Sequence, residues 1–152
     1  MVKIYLVQHG KSHPKEVDPD RRLTDEGIKE TERVGGYLSS IGIKVDELWH
    51  STKLRAEMTG HILAEYLNIG GIKRRDGLAP LDDPNPVADE LRNIDRDVMI
   101  VGHLPFLSKL TSILLNVDTE VVEFTYSGVV CLERGGDGKF RLKWYIRPDI
   151  IR

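Results

Sequence analysis

Three side chains in this chain combine the types needed to handle a phosphoryl group. They are His9 in Gln8-His9-Gly10, Arg55 in Ser51-Thr-Lys-Leu-Arg55, and His103 in Gly102-His103. An imidazole can act as nucleophile or proton donor, and a guanidinium forks onto oxyanions. Arg55 carries a further hint. With Ser51 read as a helix cap, Lys53 and Arg55 fall in or beside the first helical turn. A cation there opposes the helix dipole at a cost of roughly 0.3–1 kcal/mol. An anion docked at that helix end would reverse the sign, since helix N-termini and arginine forks both suit phosphate. Arg21 and Arg22, just ahead of Thr24, repeat the pattern. Lys53 and Arg22 are read as solvent-facing bases, and Arg55 as an anion ligand because the two histidines accompany it.

The elements that must position these residues follow from the pattern. Residues 2–7 (VKIYLV) read as a first strand, followed by a polar loop through Arg22. Thr24-Asp25-Glu26 starts a helix with a capping hydroxyl and acids in the first turn. Ile28, Thr31, Val34, Leu38 and Ile41 recur at helical spacing until Gly42. Gly35-Gly36 within it suggests a close helix–sheet contact. Residues 45–49 read as a second strand, and the helix after Ser51 places Leu54, Met58, Ile62 and Tyr66 on its buried face. A weak strand near 72–76 and a short helix opened by Asn85-Pro86 come next. Residues 97–101 form an apolar run suited to a strand covered on both faces. Pro105 starts a helix to about Leu115, and 129–134 with 139–146 flank a glycine-rich turn as a hairpin. In its second strand Phe140, Leu142, Trp144 and Ile146 alternate with polar residues, as at a half-exposed edge.

Alternating strands and helices predict a three-layer α/β/α sandwich on a mostly parallel sheet, with an antiparallel edge hairpin, and residues 1–152 as a single domain. In such sheets ligands bind at the carboxyl ends of strands. His9, Arg55 and His103 each follow a predicted strand, so they are expected to converge.

Composition narrows the function classes. Of the residues 40% are hydrophobic and 30% charged, and the formal net charge is −2, a balance that argues against a general nucleic-acid binder. Cys131 is the only cysteine, which excludes an intramolecular disulfide. A zinc site needs three or four ligands at compatible spacing. With neither a His-Glu-x-x-His helix nor a cysteine pair, no metal and no cofactor are expected. His13, His50 and His61 read as ordinary polar residues. No apolar run approaches the roughly 20 residues of a membrane span, and the N-terminal run is too short for a signal peptide. A cytoplasmic monomer without membrane or nucleic-acid partners is the expectation.

The anchors Tyr5-Leu-Val-Gln-His-Gly10, Arg21-Arg-Leu-Thr-Asp-Glu-Gly27, Ser51-Thr-Lys-Leu-Arg-Ala-Glu-Met-Thr59 and Val101-Gly-His-Leu-Pro105, in this order, resemble the histidine phosphatase superfamily. Within that phosphoglycerate mutase-like group the chain is most similar to the short, SixA-type phosphohistidine phosphatases. The resemblance implies that His9 is the nucleophile that becomes phosphohistidine, that Arg55 holds the phosphoryl group, and that His103 donates to its oxygens. Arg21 matches a further phosphate-binding arginine. It also implies a protonated His103 beside a neutral His9.

Two departures from the family pattern stand out. Gln8 replaces the usual arginine before the nucleophile and brings an amide but no charge. The stretch where larger members carry a proton-donating acid reads Leu78-Ala-Pro-Leu-Asp-Asp83, leaving Asp82 or Asp83 as substitutes. A phosphohistidine can leave as neutral imidazole and needs such an acid less than a serine phosphate does. The short stretch between Arg55 and His103 leaves no room for a large cap, which would admit a phosphorylated protein. The expected activity is therefore metal-independent removal of phosphate from phosphohistidine on a protein, with phosphate as product. A small-molecule phosphomonoesterase and a phosphate-binding module with little turnover stay open as alternatives.

Overall fold

In a computed structural model that describes residues 1–151, a six-stranded sheet runs in the order β3-β2-β4-β1-β5-β6. The strands are β1 (Val2–Gln8), β2 (Glu47–His50), β3 (Gly71–Arg74), β4 (Val98–Gly102), β5 (Val129–Arg134) and β6 (Phe140–Ile146). The first four in sheet order are parallel; β5 adds antiparallel to β1, and β6 antiparallel to β5. Helices α1 (Asp25–Ser40) and α2 (Leu54–Leu67) cover one face, where Tyr5, Val7, Leu48, Met99 and Val101 meet Val34, Leu38, Leu63 and Ala64. Helices α3 (Asn85–Asn93) and α4 (Phe106–Leu115) cover the other, where Ile4, Leu6, Trp49 and Ile100 meet Leu91, Phe106, Leu107 and Leu110. This is the expected α/β/α sandwich. Every residue of β4 is buried, as a parallel strand covered on both faces requires. No helix among the described residues is long and apolar enough to cross a membrane.

Helix α1 begins as its sequence demands. Thr24 Oγ1 accepts from the Gly27 N–H at 3.0 Å, a cap worth about 1 kcal/mol. The Thr24 N–H also donates to Lys11 O at 2.9 Å, which ties the helix start to the loop after β1. Gly27 makes that approach feasible, because a Cβ there would lie 2.2 Å from Lys11 O. The close contact at Gly35 is with another helix rather than the sheet. Its missing Cβ would lie 3.0 Å from the Tyr66 Cβ of α2.

Three further expectations need correction. The sheet-facing side of α2 is Ala56, Thr59, Gly60, Leu63, Ala64 and Leu67, whereas Leu54, Met58 and Ile62 are only half-buried and Tyr66 is exposed. Small residues win that face because the helix sits very close to β2, and Gly60 would put a Cβ 2.9 Å from Leu48 Cδ2. Ser51 does not cap α2; the cap position is Lys53, without a side-chain bond, and the Ser51 hydroxyl is engaged elsewhere. In β6 the simple alternation fails. The register against β5 shifts by one residue, Cys131 pairing with Trp144 and Leu132 with Leu142. A one-residue bulge moves all following side chains to the opposite face. Phe140 therefore packs with the α3/α4 core, while Trp144 and Ile146 pack with the α1/α2 core.

Candidate active site

Sheet register assembles the site. Strands β2, β4 and β1 are neighbours, with His50 paired to Val101 and Gln8 paired to Gly102. The residues that follow these pairs, Ser51, His103 and His9, therefore emerge side by side at the carboxyl edge. The His9 N–H continues the ladder to Gly102 O at 3.0 Å, and the Ser51 N–H reaches Val101 O at 3.3 Å. The rings of His9 and His103 lie 5.0 Å apart between centroids, and Tyr126 lies 5.6 Å from His9 on another side.

Both histidines are buried, at 7% and 1% exposure. His9 Nδ1 sits 2.7 Å from Gly10 O. A carbonyl only accepts, so Nδ1 carries the proton and Nε2 keeps its lone pair. Burial, with smaller contributions from the charges of Arg55 and Arg21, lowers the His9 pKa to about 4. The ring is thus neutral at pH 7, in the tautomer that leaves Nε2 free to attack phosphorus. Gly10 is itself clamped. Its N–H donates to Thr59 Oγ1 at 2.9 Å, and that hydroxyl donates to Arg55 O at 2.8 Å. A Cβ on Gly10 would lie 2.9 Å from Thr31 Oγ1 and 3.1 Å from Ser127 Oγ. Thr31 donates to Gly27 O, which leaves Ser127 to donate to Thr31 at 2.8 Å.

His103 is held from its other nitrogen. Ser51 Oγ lies 2.6 Å from His103 Nε2 and accepts the Lys53 N–H at 3.3 Å. With its oxygen already accepting, the hydroxyl can donate to Nε2, which puts the ring proton on Nδ1. Nδ1 is buried with no partner among the described residues, as is Arg55 Nε. Two N–H donors so placed suit an oxyanion, because a buried donor left unmade costs about 1–3 kcal/mol. The His103 pKa is lowered to about 3, first by burial and then by His9, Arg55, Lys53 and Arg21. Burial and the nearby cations thus disfavour the second proton expected on His103, and the neutral ring can still donate through Nδ1.

The Arg55 pKa is lowered too, first by burial and then by the neighbouring Arg21 charge. Two cations held near each other suit an anion as partner. Arg21 reaches the site because its loop folds back. Ser12 bridges to Leu23, the His13 N–H donates to Arg22 O at 2.9 Å, and Arg21 Nε donates to His13 O at 3.2 Å. Arg21 adopts φ 53°, a left-handed conformation uncommon for such a residue, at this turn. Gln8 is buried next to His9, and its Oε1 has no partner among the described residues.

The two candidate acids lie on the loop into α3. Asp83 accepts from the Asn85 backbone and side-chain amides at 3.0 and 2.9 Å, and those bonds lower its pKa. This carboxylate starts a helix and is poorly suited to giving up a proton. Asp82 accepts the Ala79 N–H at 2.9 Å. From sequence Ser51 has only a capping role, Thr31 only a place on the α1 stripe, and Thr59, Ser127 and Tyr126 none; Ser51 and Thr59 do stand inside the Arg55 segment, the one signal that could have found their place in the site.

Fold and pocket together bring the two histidines side by side at the strand ends of an α/β sandwich. The chain belongs to the histidine phosphatase superfamily (branch 1), whose sequence profile matches residues 4–82. Phosphohistidine phosphatase SixA of Escherichia coli (strain K12) is 25% identical over 155 residues, spanning 97% of this chain and 94% of that protein. The mitochondrial serine/threonine-protein phosphatase PGAM5 of Mus musculus is 33% identical over 92 residues, 56% of this chain but only 31% of that protein. A structure of the protein histidine phosphatase SixA complexed with tungstate superimposes with TM-score 0.89 at 22% identity, covering 99% of both chains. One from Agrobacterium tumefaciens, a SixA-like phosphohistidine phosphatase by description, gives 0.80 at 22% identity over 96% of this chain and 97% of that one.

Proposed function

We propose that this protein is a hydrolase that removes phosphate from phosphohistidine on a protein, through a covalent phosphohistidine at its own His9. The observation that carries the reading is the Gly10 carbonyl on His9 Nδ1, which leaves Nε2 unprotonated in a pocket lined by donors. In the first step Nε2 attacks phosphorus, the bond from phosphorus to the substrate imidazole breaks, and that imidazole leaves neutral because its other nitrogen carries a proton. Arg55, Arg21 and the Nδ1–H of His103 offset charge on the equatorial oxygens without a metal ion. The arriving dianion also favours a second proton on His103. In the second step water attacks phosphorus, the Nε2–P bond breaks to return neutral His9, and both water protons leave with the product as dihydrogen phosphate. Arg55 and His103 thus serve as catalytic groups, with Gln8 and Arg21 beside the bound phosphate.

Two observations favour a phosphohistidine over a serine phosphate. The relative matched along nearly its full length is a phosphohistidine phosphatase. The Asp83 carboxyl is held ionised by the Asn85 amides, so the leaving group receives no help from it. Release of phosphate from a histidine-phosphorylated protein by wild type and by His9→Ala tests the reading. The expected result is release by wild type and loss of at least about 10³-fold in the variant. If wild type releases nothing yet binds phosphate, the protein is a binding module. If it hydrolyses only small phosphomonoesters, the protein substrate is wrong.

A further inference from the structure

A second cluster shares no side chain with the first. His50 ends β2 and is 2% exposed. Its Nδ1 sits 2.8 Å from Ser51 O, so Nδ1 donates and Nε2 keeps its lone pair. This is the arrangement found at zinc-bound histidines, where a carbonyl on one nitrogen fixes the ring and makes the other a better ligand. Glu57 and His61 stand one turn apart on α2, with Glu57 Oε2 and His61 Nε2 separated by 4.0 Å. The His61 ring lies 5.6 Å from that of His50. One ligand atom from each of the three residues lies within 4.8 Å of the other two. Gly60 makes the juxtaposition feasible, since a Cβ there would stand 3.5 Å from His50 Cβ and 2.9 Å from Leu48 Cδ2.

We propose that His50, Glu57 and His61 form a binding site for one zinc-class divalent transition-metal ion. Two imidazoles and a carboxylate suit zinc, with water in the fourth position, and do not suit magnesium or calcium, which prefer all-oxygen sites. Bonds of about 2.0–2.1 Å to a tetrahedral ion need donor atoms closer together than they stand here. The two helix ligands supply that movement, with side chains 37% and 55% exposed, while His50 is the fixed one. A linear sequence scan misses the site because its third ligand comes from a strand rather than from the helix. The bound ion would pin α2 to the end of β2. It takes no part in the chemistry at His9, and the proposal stands whether or not that chemistry is as described above.

Zinc titration of the full chain, first stripped with a chelator, tests this by calorimetry and by the visible spectrum of the cobalt(II) form. The expected result is one ion per chain with a tetrahedral cobalt spectrum and a raised unfolding temperature. His61→Ala and Glu57→Gln, both on the exposed side of α2, should each weaken binding by about 10-fold or more while keeping wild-type phosphatase activity and helical content. His9→Ala should bind zinc like wild type. The proposal is overturned if wild type binds no zinc at about 100 μM, a level that a three-ligand site would saturate. It is equally overturned if the α2 variants bind as well as wild type, or if His9→Ala is the variant that loses the ion.

Discussion

Ser51 Oγ lies 2.6 Å from His103 Nε2, so the serine expected to cap α2 instead orients a histidine of the candidate site. Ser51 is thereby a positioning residue. Ser51→Ala should lower kcat by about 10-fold while KM changes little, because the donor is misdirected mainly where charge develops. Steady-state kinetics with an activated aryl phosphate reads both constants. A variant with wild-type kcat would mean that packing alone holds the His103 ring.

The histidine pKa values make two pH predictions. His9 loses its nucleophilic pair only when protonated, and burial lowers its pKa to about 4. The acid limb of kcat/KM should therefore fall near pH 4 instead of near the ordinary histidine value of about 6.5. Stability follows the same groups. The unfolded chain protonates His9 and His103 near pH 6.5, whereas the folded chain resists until about 4 and 3. Unfolding then takes up protons, so stability should fall as pH drops from about 6.5 towards 4, and His103→Gln should flatten that slope. Urea midpoints across this range check it; an unchanged slope in the variant would contradict it.

Gln8 stands where a cation would strengthen the pocket, and its buried Oε1 bonds to nothing among the described residues. Gln8→Arg should tighten inhibition by inorganic phosphate by about 10-fold, the effect of one charge-assisted hydrogen bond of about 1.4 kcal/mol. An unchanged inhibition constant would show that Arg55 and Arg21 already saturate the anion.

Gly27→Ala would force a Cβ to within 2.2 Å of Lys11 O, a backbone atom with no rotamer to yield. The variant should lose about 1–3 kcal/mol in chemical denaturation and disturb the loop that carries His9. Wild-type stability would mean that α1 can slide along the loop without cost.

Much of this site was legible from strand ends. His9 and His103 follow apolar runs whose parallel pairing, Gln8 opposite Gly102, brings them together, and Thr24 announced α1 by its cap. The α2 face misled because the apolar stripe Leu54, Met58, Ile62 and Tyr66 has helical spacing. Hydrophobicity does not reveal that the helix must approach β2 closely, and close approach selects Ala56, Thr59 and Gly60. That same closeness lets Thr59 reach the Gly10 amide, a contact without local signal. The β6 bulge is hidden likewise, since an alternating pattern reads the same until the partner strand sets its register. The neutral state of His103 comes from burial and from surrounding cations, which only the folded arrangement reveals.

The central claim is that phosphate passes through His9. Rapid mixing with a phosphorylated substrate, quenching in alkali and mapping the labelled peptide by mass spectrometry test it most directly. The account predicts one phosphoryl group on His9, stable to alkali, lost in acid, and absent from His9→Ala. Turnover with no phosphoryl group on His9, or with the label on another residue, would contradict it.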